Sequence, residues 1–251
     1  MANAQLQSVL DHIDKEFDNS LERLFSLLRI KSISADPAFA KDCKAAAEHL
    51  AKDIASLGVS TEVRPTAGHP AVVGKTKAGG RPHVIFYGHY DVQPVDPLDL
   101  WHRPPFEPVV TDHADGRKII VARGAEDDKG QVMTFVEACR AWKTVTGSLP
   151  IDVTFLIEGE EEVGSKNFVP FIEANKDEFK ADYVLVCDTG MWDRNTPAIT
   201  TSLRGLLYEE LKITAANRDL HSGVFGGSAM NPIRVLTKIL GGLFDDDNRI
   251  T

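Results

Sequence analysis

Cysteine is scarce: Cys43, Cys139 and Cys187 form an odd, widely spaced set among 251 residues. That arrangement argues against a disulfide framework, and with each thiol inside an apolar segment it points to a reducing compartment. Runs of basic residues are missing as well. With a net charge of −9 and no Lys/Arg cluster able to neutralise a row of phosphates, nucleic acid and anionic membrane surfaces are poor candidate partners. No apolar stretch approaches the ~20 residues that a membrane-spanning helix needs. The N-terminal MANAQLQSVLDHIDKEF carries acids where a signal peptide needs a basic start and an apolar run, so the cytoplasm is the expected location. Internal repeats and low-complexity tracts are also lacking. What remains, 43% hydrophobic and 26% charged residues, is the composition of an ordinary soluble globular protein with enough apolar side chains for a sizeable core.

Leu6, Val9, Leu10, Ile13, Phe17, Leu21, Leu24, Phe25 and Leu28 follow three-and-four spacing, which predicts an amphipathic helix over about residues 5–30. A second helix is expected through Ala45 to Ala55, with Asp36 as N-cap, Pro37 in the first turn and Gly58 where a left-handed terminal residue belongs. The period then changes. STEVRP, AVVGKT, HVIFYGH and KIIVAR are short β-branched or aromatic runs separated by Gly, Pro and Asp, the pattern of strands and turns. Helical spacing returns from Lys129 to Val145 and from Ser165 to Ala174, flanking the apolar strands IDVTFLI and DYVLVC. Such alternation predicts right-handed crossovers and a largely parallel sheet covered by helices. From Gly205 the character shifts to LLYEELKIT, which reads as a strand with one wet face, and to an amphipathic helix over Met230 to Leu240, so a second domain is expected to begin there.

Chemistry-bearing side chains recur just after apolar strands: His89 and Asp91 after HVIFYG, Glu160 to Glu162 after IDVTFLI, Asp188 after DYVLVC. Open α/β sheets bind ligands at the carboxyl ends of their strands, so these segments would deliver oxygen and nitrogen ligands to one place. Each group alone has a plainer reading: a loop histidine for His89, a solvated acidic turn for EGEEEVG, a pair of capping acids for Asp127 and Asp128 before a helix. Repulsion decides for a site. Glu158, Glu160, Glu161 and Glu162, aimed at the crevice that also receives Asp127 and Asp188, would repel strongly unless cations sat among them. His89 and Asp91, two apart in extended chain, point the same way, so Asp91 can accept the imidazole N–H that a metal does not use. Glu161 and Glu162 diverge, leaving one to ligate and the other to handle a proton. His221, in the Gly-rich DLHSGVFGG, reads on residues alone as a loop histidine.

GHYDVQP, RGAEDDKG, EGEEEVGS, the Asp of VCDTG and DLHSGVFGG, in this order, and WHRPPFEP as well, resemble the carnosinase and cytosolic non-specific dipeptidase branch of the co-catalytic metallopeptidase and aminoacylase family. The resemblance runs from about residue 15 to the end. It implies a three-layer α/β/α catalytic domain with a mainly parallel sheet over residues 1–204, and the start of an α+β lid and dimerisation domain over residues 205–251. It implies two divalent ions, Zn²⁺ first and Mn²⁺ or Co²⁺ as alternatives. His89 and Asp188 would hold one, Glu162 the other, and Asp127 would bridge them. Asp91 would orient His89, and Glu161 would be the general base in hydrolysis of a dipeptide or short-peptide bond by water held between the metals. His221 would reach the active site of the partner subunit in a homodimer and stabilise the oxyanion.

Two departures accompany the resemblance. Glu126 stands where relatives usually carry a small residue, and relatives run far beyond residue 251, supplying the rest of the lid, contacts to the substrate carboxylate and a last histidine for the second metal. This chain alone is therefore expected to bind the second ion weakly and to be poorly active. The rival activity is deacylation of N-acyl-amino acids by the same chemistry; a non-catalytic fragment or scaffold is the reading of another class.

Overall fold

The alternation of β-branched and aromatic residues in HVIFYGH makes a strand whose two faces are both apolar, and such a strand belongs in the middle of a sheet. In the computed structural model, which describes residues 2–250 other than 78 and 194, it is the interior strand β3, His83–His89. Five strands form one sheet in the order β1 (Ser60–Arg64), β2 (Ala71–Lys75), β6 (Asp152–Glu158), β3 and β7 (Tyr183–Val186). β4 (Val109–Asp112) and β5 (Lys118–Val121) form a separate antiparallel pair.

The sheet is mixed. β3 runs parallel to both β6 and β7, whereas β1–β2 and β2–β6 are antiparallel. The reason lies in the connections: helices separate β3, β6 and β7 in sequence, and crossovers through helices return the chain in the same direction. β1 and β2 are joined by a short link without a helix, which reverses it. The strands around the predicted site are thus the parallel ones.

Both faces are covered over β2, β6 and β3, while the edge strand β7 stays exposed. On one face Phe86, Val72, Val153, Phe155 and Ile157 pack with Leu27 and Leu28 of α2 (Phe17–Leu28), Leu50 and Ile54 of α3 (Ala40–Ser56), and Val132 and Val136 of α4 (Lys129–Thr146). On the other, Ala71, Val73, Ile85 and Leu156 meet Phe168 of α5 (Phe168–Ala174), with Phe171 and Phe179 against them. Alternate residues of one strand serve opposite layers, so the three-layer α/β/α architecture follows from the period of two. A single helix expected over residues 5–30 is in fact α1 (Ala2–Lys15) and α2, divided at Glu16, whose φ of −98° and ψ of 11° depart from helical values. Asp36 does cap the following turn, its carboxylate accepting the Ala38 N–H, and Gly58 takes φ +71°.

The chain divides into two units, residues 1–198 and 199–251. Within the second, α6 (Ser222–Phe225) and α7 (Pro232–Gly241) form, the latter capped by the Asn231 side chain. LLYEELKIT forms no strand among the described residues, and Leu206 and Leu207 are exposed. Alternation specifies a face; it cannot supply the partner strand that backbone hydrogen bonding requires. No helix among the described residues is long and apolar enough to cross a membrane.

Candidate metal centre

Parallel register brings the carboxyl ends of β6, β3 and β7 side by side: His89 pairs with Glu158, and Tyr87 with Val186. The chain after each strand then turns at the same edge of the sheet. α4 arrives from below with Asp127 and Asp128 directly ahead of its first residue. Close approach there requires a glycine at position 88, because a Cβ would lie 2.6 Å from Val132 Cγ2 and 2.8 Å from Asp128 Oδ2.

His89 is the focus. It is wholly buried, and its Nδ1 lies 3.1 Å from the Asp91 backbone carbonyl and 3.3 Å from Asp91 Oδ1, so this nitrogen donates to Asp91 and leaves Nε2 to face the other carboxylates. Nε2 has no hydrogen-bond partner although it is buried. Around it stand Asp127 Oδ1 at 3.1 Å, Asp188 Oδ2 at 3.8 Å and Glu161 Oε2 at 3.9 Å. One ligand atom from each of His89, Asp127 and Asp188 falls within 4.8 Å of the others, a set that could hold a metal ion. An orphaned imidazole nitrogen facing carboxylates is the donor chemistry of a divalent cation site. The same field appears in the imidazole's proton affinity. Burial works to lower its pKa, but the hydrogen bond to Asp91 and the charges of Asp91, Asp128 and Glu161 win and carry it up to about 10.

Asp91 binds more than His89. Fully buried, its Oδ2 accepts the Ser34 hydroxyl at 2.6 Å and the Glu162 N–H at 3.1 Å, and its Oδ1 accepts the Glu161 N–H at 3.3 Å. One carboxylate thereby ties the histidine to the turn that carries both glutamates. Burial, together with Asp188, Asp91 and Asp127 and against the pull of His89, raises the pKa of Glu161. Glu162 is raised too, first by burial, while Gln93 donates to its Oε2 at 2.7 Å. Its carboxylate is not among the three converging ligand atoms.

The expectation that four glutamates share the crevice is corrected. Glu158 turns to Tyr87 and Ser165, whose hydroxyls donate to its Oε1 at 2.8 and 2.9 Å, and Glu160 accepts from Asn167 through both backbone and side chain. These two organise the loop, leaving Glu161 and Glu162 toward the ligands. Nor is Asp128 a helix cap. It makes no capping bond; wholly buried, it accepts the backbone N–H of His89 at 2.9 Å, and burial pushes its carboxyl up to about 7. Sequence reasoning missed Asp128, Gln93, Ser34 and Lys129, whose ammonium is buried against the carbonyls of Leu27 and Ile30 at 3.3 and 2.8 Å. The unpunctuated DDK run was the available signal, since a second acid and a lysine that are not both solvated must find partners. Glu126 is exposed. His221 lies in the second unit, where its Nδ1 accepts the Gly223 N–H and caps α6.

Comparison with known proteins agrees with this geometry. The pattern of peptidase family M20/M25/M40 matches residues 85–235. The Cys-Gly metallodipeptidase dug1 of Schizosaccharomyces pombe is 31% identical over 98% of this chain and 53% of its own. Beta-Ala-His dipeptidase of Homo sapiens is 32% identical over 98% of this chain and 51% of its own. Among solved structures, the M20 family metallo-carboxypeptidase Sso-CP2 from Sulfolobus solfataricus aligns with a TM-score of 0.78 at 35% identity, covering 92% of this chain and 51% of that one. The chain spans about half the length of these relatives.

Proposed function

The chain belongs to peptidase family M20/M25/M40, and from that premise we propose that the complete protein is a metal-dependent exopeptidase that hydrolyses the peptide bond of dipeptides or other short peptides. The observation that carries this reading is the meeting of His89, Asp127 and Asp188 at the carboxyl ends of parallel strands, with Nε2 of His89 buried and unpartnered. His89, Asp127 and Asp188 would hold one divalent ion and Asp127 with Glu162 a second, the donor set suiting Zn²⁺ first and Mn²⁺ or Co²⁺ after it. Bound there, such ions polarise an amide carbonyl and lower the pKa of water.

The chain's own residues do the rest. Asp91 keeps the imidazole in the tautomer that leaves Nε2 free. Glu161 is the general base: 38% exposed and with its pKa raised by burial first, it can take a proton from the attacking water and return it to the leaving amine. In a homodimer formed through a lid domain that begins near residue 205, His221 stabilises the oxyanion at the active site of the partner subunit. A panel of dipeptides set beside N-acetyl and N-succinyl amino acids tests the reading on the complete, metal-loaded protein. Dipeptide turnover that a chelator abolishes and Zn²⁺ restores is expected; turnover confined to the N-acyl substrates, or indifferent to chelation, refutes it.

A further inference from the structure

We propose that Ser34 is a positioning residue for His89, acting through Asp91. The inference rests on the reading of His89 as a metal ligand, and it assigns a role to a stretch of chain far from the site in sequence. Ser34 follows α2 by a few residues, and local pattern would make it part of an ordinary loop.

The structure holds that loop in register with the site. Ser32 accepts the Val92 N–H at 2.9 Å through its carbonyl, its hydroxyl donates to the Tyr90 carbonyl at 2.6 Å, and Ile33 forms a parallel bridge with Val92. The segment therefore lies alongside Tyr90–Val92 like a short extra strand. Its upstream end is fastened as well, because the Lys129 ammonium binds the carbonyls of Leu27 and Ile30. Ile33 and Val92 pack with Phe106 in a small apolar cluster of their own. With the backbone so fixed, the Ser34 hydroxyl is delivered to Asp91 Oδ2 at 2.6 Å.

That bond matters because of what Asp91 lacks. Its carboxylate is completely buried, yet among the described residues it pairs with no lysine or arginine. Four donors hold it: the Ser34 hydroxyl, the N–H groups of Glu161 and Glu162, and the His89 imidazole. Ser34 makes the shortest of these contacts and the only one from a hydroxyl. Two others belong to the glutamate turn and one to His89, so Ser34 is the donor that fixes the carboxylate from outside the site it serves. Removing it frees the carboxylate to rotate toward the glutamate turn, away from His89 Nδ1, which keeps the Asp91 backbone carbonyl at 3.1 Å but loses the charged one of its two acceptors.

The test uses the purified 251-residue chain and Co²⁺ alone, followed by its d–d absorption and by competition with a chromophoric chelator. Ser34→Ala should weaken Co²⁺ binding by about tenfold and shift the d–d bands, with Ser34→Thr restoring both to near wild type. Because the effect runs through Asp91, Ser34→Ala should add little to Asp91→Asn in a double-mutant cycle. Should Ser34→Ala fold poorly, Ser34→Cys, which keeps the size and weakens the donor, gives the same comparison. Binding by the folded Ser34 variants equal to wild type, or losses that simply add to those of Asp91→Asn, would overturn the proposal. His89→Ala separates the two levels: if it leaves Co²⁺ affinity unchanged, the metal-centre reading falls and this role with it, whereas a weakened His89→Ala beside an unaffected Ser34→Ala overturns Ser34 alone.

Discussion

Replacing Asp91 by asparagine removes a charge and one acceptor from a group that has no water to turn to. The carboxylate spends both oxygens on four donors, with Ser34 Oγ and Glu162 N–H on Oδ2, and Glu161 N–H and His89 Nδ1 on Oδ1. An amide has one oxygen. His89 Nδ1 keeps its hydrogen in any case, because the Asp91 backbone carbonyl also accepts it at 3.1 Å, so the amide will aim its oxygen at His89 and Glu161 and its NH₂ at Glu162 and Ser34. The Ser34 hydroxyl can rotate and accept. The Glu162 N–H cannot, and a buried donor without a partner costs about 1–3 kcal/mol. The imidazole meanwhile loses a negative charge 3.3 Å away and becomes a poorer ligand. The orphaned N–H lowers stability with or without zinc, whereas the weakened ligand predicts zinc affinity lower by roughly tenfold to a hundredfold. Competition against a chromophoric zinc chelator reads the affinity, with urea unfolding showing that the variant is folded. A cooperatively folded Asp91→Asn that binds zinc within about twofold of wild type would refute the argument.

Other consequences are as open to measurement. Glu161→Gln in the complete protein should retain its metal ions and lose about 10²- to 10⁴-fold in dipeptide kcat, since only proton transfer is removed; loss of metal along with activity would reassign Glu161 as a ligand. Glu178 receives a forked pair of bonds from Arg64, both 2.8 Å, and one from Lys75 at 2.7 Å, and the Arg64 and Lys75 bonds hold its pKa down at about 2. A carboxyl whose folded pKa is depressed contributes stability at neutral pH that fades as pH falls from about 4.5 toward 2. Wild type should therefore exceed Glu178→Gln by ~1 kcal/mol at pH 7, a value discounted for solvent screening, and the gap should close by pH 2–3. A gap of constant size across that range in urea titrations would contradict the assignment.

How far the site was legible depended on whether one segment carried the information. That His89, Asp188 and the Glu161–Glu162 turn come to one edge of the sheet was readable because apolar strands end in acids or imidazole, and strand ends of a parallel sheet converge. Asp128 was obscured because an acid ahead of a helix has a good local use as a cap; only the position of β3 shows that the His89 N–H claims it instead. Glu158 and Glu160 looked like their neighbours in a run of acids. Their partners Tyr87, Ser165 and Asn167 are chosen by tertiary packing, which no spacing within EGEEEVG reveals. Ser34 was invisible for the same reason, lying 57 residues from Asp91 in sequence. The layers were readable from apolar period, while the antiparallel half of the sheet followed from a short connection between β1 and β2 that strand-and-helix alternation does not weigh.

The most direct test of the account is an equilibrium metal titration of the purified chain with His89→Ala, Asp127→Asn and Asp188→Asn beside it. One tightly held Zn²⁺ per chain is predicted, lost or strongly weakened in all three variants, with a second ion, for which the described residues offer Asp127 and Glu162, held only weakly. No tight ion in the wild type, or a tight ion indifferent to the three substitutions, would contradict the central claim that these side chains form a metal centre.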